Sequence, residues 1–201
     1  MASPDDKDML RGFRAPVTDA QAVFDRAMRA FSRPGTIVDF GERLGAPAPL
    51  EPAAAALLAT LADYDTPLWL HEALRGETVR GWIAFQTGAV VMDRPELSRF
   101  ALVPQGADLP ALSSFAIGTA TYPDRSTTLI LGIAALDGGA PYLLAGPGIE
   151  TTTRFAPRGL PDTFLADWAI NQALFPRGVD VILACGTRAL ALPRTTQIRR
   201  A

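Results

Sequence analysis

One histidine, one cysteine and one lysine are all that 201 residues offer of the side chains most used as general bases, thiolate nucleophiles and Schiff-base amines. The lysine is Lys7, the exception among 19 basic residues that are otherwise arginine. Schiff-base formation needs a primary amine, which a guanidinium cannot supply, so a lysine-dependent catalyst is not expected. A hydrolytic zinc site needs several nitrogen or sulfur ligands at set spacings. His71 and Cys185 stand far apart, so only carboxylates could complete one. A Ser-His-Asp arrangement would have to recruit His71, yet no serine occupies a nucleophile-elbow context. His71 ends an apolar stretch, where a packed or hydrogen-bonded structural histidine is preferred over a general base. Cys185 leaves the apolar run 181–184 and reads as a small buried hydrophobe. The pairs Asp63/Asp65 and Asp124/Glu150 have the spacing of turns rather than of an acid/base couple.

Phosphate chemistry has three candidate places. There is no Gly-x-x-x-x-Gly-Lys loop. Gly146-Pro147-Gly148 could bring backbone close to a phosphate, although a tight turn between strands explains it and is preferred. Arg26, Arg29 and Arg33 share one side of a helix and could hold an anionic ligand or an acidic partner. A solvated face with a local Asp25–Arg29 pair is the preferred reading. In Pro193-Arg194-Thr195-Thr196, an arginine flanked by hydroxyls suits phosphate or phosphonate oxygens. The alternative there is a solvated C-terminal tail, continuing through Arg199 and Arg200.

The elements that must position these residues follow from spacing. Residues 1–12 read as a polar, mobile tail, and 13–198 as a single α/β domain with a mixed sheet flanked by helices. A helix is predicted over 18–32, capped by Thr18 or Asp19 and stopped by Pro34-Gly35. Its apolar face is Val23, Ala27 and Phe31, widened by Phe24 and Met28. Further helices are expected over 51–61, 77–86, 109–114 and 161–174. Strands are expected over 36–40, 68–71, within 97–103, and over 127–135, 142–145, 151–155, 179–184 and 189–192. Asp137-Gly138-Gly139 reads as a hairpin connection between 127–135 and 142–145, with 151–155 extending the same sheet. A net charge of −2 gives no reason to expect nucleic acid. The lone cysteine excludes an internal disulfide. The first eight residues carry three aspartates and no apolar core, and no run approaches the roughly 20 apolar residues of a membrane span. A cytoplasmic location is expected.

Six segments in order carry a resemblance: 16–35 (PVTDAQAVFDRAMRAFSRPG), 61–70 (LADYDTPLWL), 122–131 (YPDRSTTLIL), 145–149 (AGPGI), 175–183 (FPRGVDVIL) and 191–196 (ALPRTT). Each is mostly turn and core residues, but their order and spacing resemble the PhnH subunit of bacterial carbon–phosphorus lyase over nearly the whole chain. The resemblance implies membership of a core assembly with PhnG, PhnI and PhnJ. That assembly installs an alkylphosphonate on an ATP-derived ribose triphosphate and then cleaves the C–P bond by radical chemistry. The iron–sulfur cluster belongs to another subunit, and Cys185 alone could not ligate one. The resemblance also implies a fold related to the pyridoxal-phosphate (PLP) transferases without PLP or any other cofactor, and a homodimer when isolated.

No catalytic residue is carried over. The matching positions most suited to a vestigial pocket or a partner contact are Arg33, Gly35, Asp63, Tyr122, Gly146, Gly148, Arg194 and Thr195. Asp124 stands where a longer glutamate would be expected. The leading expectation is a non-catalytic subunit of the phosphonate-activating complex. A phosphonate- or nucleotide-binding module, with Arg194 on the anion, is the alternative. An independent carboxylate/metal-dependent enzyme comes last.

Overall fold

The computed structural model describes residues 12–41 and 44–201. Lys7 and all but the last residue of the expected tail lie outside the described residues.

Ten strands are present among the described residues: β1 (Val38–Asp39), β2 (Leu68–Leu70), β3 (Val91–Met92), β4 (Phe100–Val103), β5 (Thr128–Gly132), β6 (Tyr142–Ala145), β7 (Thr153–Phe155), β8 (Asp180–Cys185), β9 (Arg188–Leu192) and β10 (Gln197–Arg200). Seven form a mixed sheet in the order β1-β9-β8-β5-β4-β2-β3, and three form an antiparallel sheet in the order β10-β6-β7. Strands β3, β2, β4, β5 and β8 run parallel, whereas β9 returns antiparallel beside β8 and β1 antiparallel beside β9.

Apolar side chains alternate along the central strands and demand cover on both faces. Leu68, Leu70, Leu102, Ile130, Ile182 and Ala184 point one way, into helices α1 (Pro16–Ser32), α2 (Pro52–Leu61) and α3 (Glu77–Thr87). Trp69, Ala101, Val103, Leu129, Leu131, Val181 and Leu183 point the other way, onto α4 (Phe164–Ala173) and the small sheet. Helix α2 approaches closely because Ala53, Ala54, Ala55 and Ala56 are all buried and short. Its entry is locked to the β8–β9 turn: the Gly186 N–H donates to Glu51 Oε2 at 2.7 Å, and the Ala53 N–H donates to the Gly186 carbonyl at 2.9 Å. The same turn holds the end of β1. The Gly41 N–H, the Thr187 hydroxyl and the Arg188 charge together hold the Asp39 carboxyl below its ordinary range.

The α/β class and the mixed sheet agree with the expectation, and several details do not. The hairpin expected at 137–139 does not exist. Both edges of β5 are already taken by β4 and β8, so β6 has no ladder to join and founds the second sheet with β7 and β10. The 134–139 connection pairs instead with 156–158, through Ala135 and Arg158 and a Gly139 N–H to Ala156 carbonyl bond. Neither Thr18 nor Asp19 is the N-cap of α1. Pro16 is at the start of the helix and Ala15 caps it, its N–H bonded back to the Asp19 carboxylate at 2.9 Å. Phe24 and Met28 do not widen a buried face: they are 49% and 46% exposed, because Val23, Ala27 and Ala30 form the buried stripe. Residues 109–114 yield only a single 3-10 turn, Leu112–Ser114. What read as a solvated tail continues into β10, paired along β6. Among the described residues no helix is long and apolar enough to cross a membrane.

One buried polar residue stitches α4 to the sheet. Asn171 is 2% exposed; its amide donates to the Val179 carbonyl at 2.9 Å and accepts from the Val179 N–H at 2.8 Å, standing in for a strand partner just before β8. Asn171→Ala leaves a buried donor and a buried acceptor unpaired and is expected to lower unfolding stability by about 2 kcal/mol. Asn171→Asp sets a buried carboxylate oxygen against the Val179 carbonyl, acceptor facing acceptor, so urea denaturation at neutral pH should place it no more stable than the alanine variant.

Candidate functional site

Parallel strands deliver all their starts to one edge of the sheet and all their ends to the other. Most positions singled out from sequence lie at the starting edge. Arg194 follows β9, which runs antiparallel and therefore leaves the sheet beside the beginning of β8. Pro193 cannot donate to a ladder and ends the strand, and the Thr196 N–H closes a turn on its carbonyl at 2.8 Å. The turn aims the Arg194 guanidinium back across the edge. Its Nε and Nη2 grip Asp180, the first residue of β8, in a bidentate pair. Nη1 donates to the Pro123 carbonyl at 2.8 Å, and Nη2 also donates to Ser126 Oγ at 2.6 Å. The Arg194 N–H adds a bond to Asp180 Oδ1 at 2.8 Å. The two side chains are only 13% and 19% exposed.

One guanidinium thus joins the loop before β5, the start of β8 and the exit of β9. Tyr122 belongs to the same loop, 49% exposed with the Arg125 guanidinium 4.1 Å above its ring. On the other side of the Arg194 turn stands Gly146, where a Cβ would come 2.9 Å from the Thr195 carbonyl oxygen. Gly146-Pro147-Gly148 is the turn leading from β6 toward β7, as preferred from sequence. Gly148 lies against the end of α1: a Cβ there would meet the Ser32 carbonyl oxygen at 2.2 Å. Beyond it, Gly35 faces Leu144 and Thr153 of the small sheet. Next to this junction the Trp168 indole N–H donates to the Thr196 carbonyl at 2.9 Å, while the buried Thr196 hydroxyl has no partner among the described residues.

Gly35, Gly146, Gly148, Arg194 and Thr195 therefore lie along one run of contacts, Arg33 and Tyr122 are chain neighbours of residues in it, and Asp63 stands apart. Asp63 caps a turn before β2, accepting from the Asp65 N–H at 3.0 Å and the Thr66 hydroxyl at 2.7 Å. Arg33 is exposed beside an open groove lined by Asp25, Met28 and Arg29. Chemically the run is a clamp. Four N–H donations of the Arg194 guanidinium end on groups of this chain, which leaves little of it for an anion. Asp180 and Ser126 were not singled out from sequence, because what brings Asp180 level with the entry to Arg194 is the β8–β9 register, which sets Val181 opposite Leu192. His71 caps the 3-10 turn after β2, its Nδ1 accepting from the Ala73 N–H at 3.2 Å. Cys185 Sγ lies 3.5 Å from the Ala134 carbonyl oxygen. Among the described residues no group of three or more histidine, cysteine or acidic side chains is placed to hold a metal ion.

The family described as bacterial phosphonate metabolism protein (PhnH) matches residues 11–199. The chain belongs to the PhnH family. It is 48% identical over 188 residues, 94% of either chain, to the alpha-D-ribose 1-methylphosphonate 5-triphosphate synthase subunit PhnH of Rhizobium meliloti (strain 1021). It is also 30% identical over 180 residues, 89% of this chain and 85% of the other, to the putative C-P lyase subunit protein HtxG of Stutzerimonas stutzeri. In this PhnH-family chain the clamp binds together three segments that carried the resemblance, 122–131, 175–183 and 191–196, and the glycine turns seat 145–149 against 16–35.

Proposed function

We propose that this chain is a subunit without a catalytic centre of its own in the assembly that joins an alkylphosphonate to an ATP-derived ribose triphosphate and passes it on for C–P cleavage. The observation that carries the proposal is 48% identity over 94% of a relative named as a subunit of ribose methylphosphonate triphosphate synthase. Partners of the PhnG, PhnI and PhnJ type, a homodimer in isolation and a cytoplasmic location belong to the same proposal. So does a relation to the PLP-transferase fold, which the seven-stranded mixed sheet with layers on both faces supports. No PLP is assigned, because residues 8–201 contain no lysine to form an internal aldimine. The exposed chain neighbours of the run, Arg33 and Tyr122, are the proposed partner contacts. A ligand held by Arg194 is not favoured, since that guanidinium is spent inside the chain.

Co-expression with the other core subunits, followed by size exclusion, is expected to carry this chain in the large complex. Its deletion is expected to abolish growth on methylphosphonate as the phosphorus source. A chain that elutes alone, and whose deletion leaves that growth intact, removes the proposal.

A further inference from the structure

Helix α1 carries two apolar stripes, and the protomer covers only one of them. Val23, Ala27 and Ala30 are buried in the main core. Val17, Phe24 and Met28 form the second stripe and are 81%, 49% and 46% exposed. With Gln21 and the half-buried Phe31 they follow alternating steps of four and three residues, the repeat by which one helix packs along another. At 3.6 residues per turn this stripe lies roughly a third of the way round the helix from the buried one. A groove of about 740 Å³ opens beside it, lined by Asp25, Met28, Arg29, Phe31, Ser32 and Arg33.

The outer flank of this stripe carries one charge of each sign, Asp25 and Arg29. Their contact with each other is 3.7 Å long and open to water, so it holds neither side chain strongly. A purely acidic or purely basic partner would suit one of the two and repel the other. A second α1 laid antiparallel suits both. With the two-fold axis level with Ala27, Asp25 of each copy comes level with Arg29 of the other, on the same side of the helix pair, and the contact is made twice. The same setting brings Phe24 of each copy to a height between Met28 and Phe31 of the other, and those two side chains line the groove. A parallel pair would instead set Asp25 against Asp25 and Arg29 against Arg29.

We infer that the exposed stripe of α1 is the face on which a second copy of this chain docks, as an antiparallel helix pair with Asp25 and Arg29 crossed between the copies. The apolar side chains supply the association, and the crossed charges fix its orientation. The inference rests on the homodimer proposed above and adds to it a face and a pairing.

Sedimentation equilibrium of the full chain at up to about 100 μM tests this, a range in which contacts of micromolar affinity are populated. The wild type should be dimeric. Asp25→Arg and Arg29→Asp each set like charges opposite one another twice, and each should weaken self-association by at least about tenfold. The circular dichroism and the urea midpoint of the dilute protein should not move. An equimolar mixture of these two variants should recover the dimer, because each then meets opposite charges on the other. The double variant Asp25→Arg/Arg29→Asp should recover it alone. A swap that merely damaged the helix would not be repaired by mixing. Phe24→Glu, at a half-exposed position, should leave the fold intact and the chain monomeric. A dimer indifferent to the swaps and to Phe24→Glu keeps the homodimer and removes this face. A wild type that stays monomeric removes both, and loss of Phe24→Glu from the large complex would then give the face to another subunit.

Discussion

Arg194→Ala is expected to lower unfolding stability by about 3 kcal/mol, the lower end for breaking a buried ion pair from one side. Truncation leaves the Asp180 carboxylate mostly out of water with only a backbone N–H for company, and strands the Pro123 carbonyl and the Ser126 hydroxyl. For a domain of this size each kcal/mol moves the midpoint by roughly 2–4 °C, so thermal unfolding should fall by roughly 10 °C. Arg194→Lys retains the charge but not the fork, and one ammonium cannot reach Asp180, Ser126 and Pro123 together, so about half the loss should remain. Removing both charges together, with Arg194→Met and Asp180→Leu, should cost less than the two single changes summed. The exposed Arg29–Asp25 pair, 3.7 Å apart with side chains 61% and 72% exposed, serves as the contrast, and its loss should fall within about 0.5 kcal/mol. Should Arg194→Ala prove as mild as that, the clamp is a surface pair and not a structural joint.

What could be read without coordinates was whatever repeats locally. The run 179–184 announced a doubly buried strand because nearly every residue in it is apolar, and Val79, Trp82 and Ile83 announced the inner side of α3 by their helical spacing. The failures share a different physical origin. The supposed hairpin across 137–139 had the right turn residues, but strand pairing is decided by which edges are free, and β5 has none. Phe24 and Met28 are apolar at helical spacing and still half-exposed, since the sheet is in reach of only one stripe of α1. Strand β10 is polar and two-sided in sequence, and only its register against β6 makes it a strand.

The candidate site divides the same way. The turn reading of Gly146-Pro147-Gly148 needed only local chemistry, and the structure agrees. That Arg194 is committed to Asp180 depends on two residues 14 apart meeting across a strand pair, and on a third group, Ser126, 68 residues away. His71 read as a packed or hydrogen-bonded structural histidine, and the structure shows it hydrogen-bonded, as the cap of a turn. Its place at the end of β2, between β4 and β3, is a property of the whole sheet and invisible in any window of sequence.

The glycine turn allows the sharpest steric test. At Gly148 φ is +82°, and a Cβ would lie 2.2 Å from the Ser32 carbonyl oxygen and 3.0 Å from the Pro34 ring. The first obstacle is backbone at the end of α1 and cannot rotate aside, so either the turn or the helix end must move. Gly148→Ala is therefore expected to cost about 4 kcal/mol, backbone strain and overpacking together. Gly106 separates the two contributions: its φ is +77°, nearly the same, and nothing lies within 4 Å of its Cβ position. Gly106→Ala carries the strain alone and should cost about 1 kcal/mol. The difference of about 3 kcal/mol then measures how tightly the small sheet is seated on α1. Limited proteolysis gives a second reading, because unseating the turn should open cleavage near 146–150 in Gly148→Ala and not in Gly106→Ala. If the two alanine variants unfold at the same urea concentration, the β6–β7 turn yields freely, and the end of α1 is not what holds the second sheet in place.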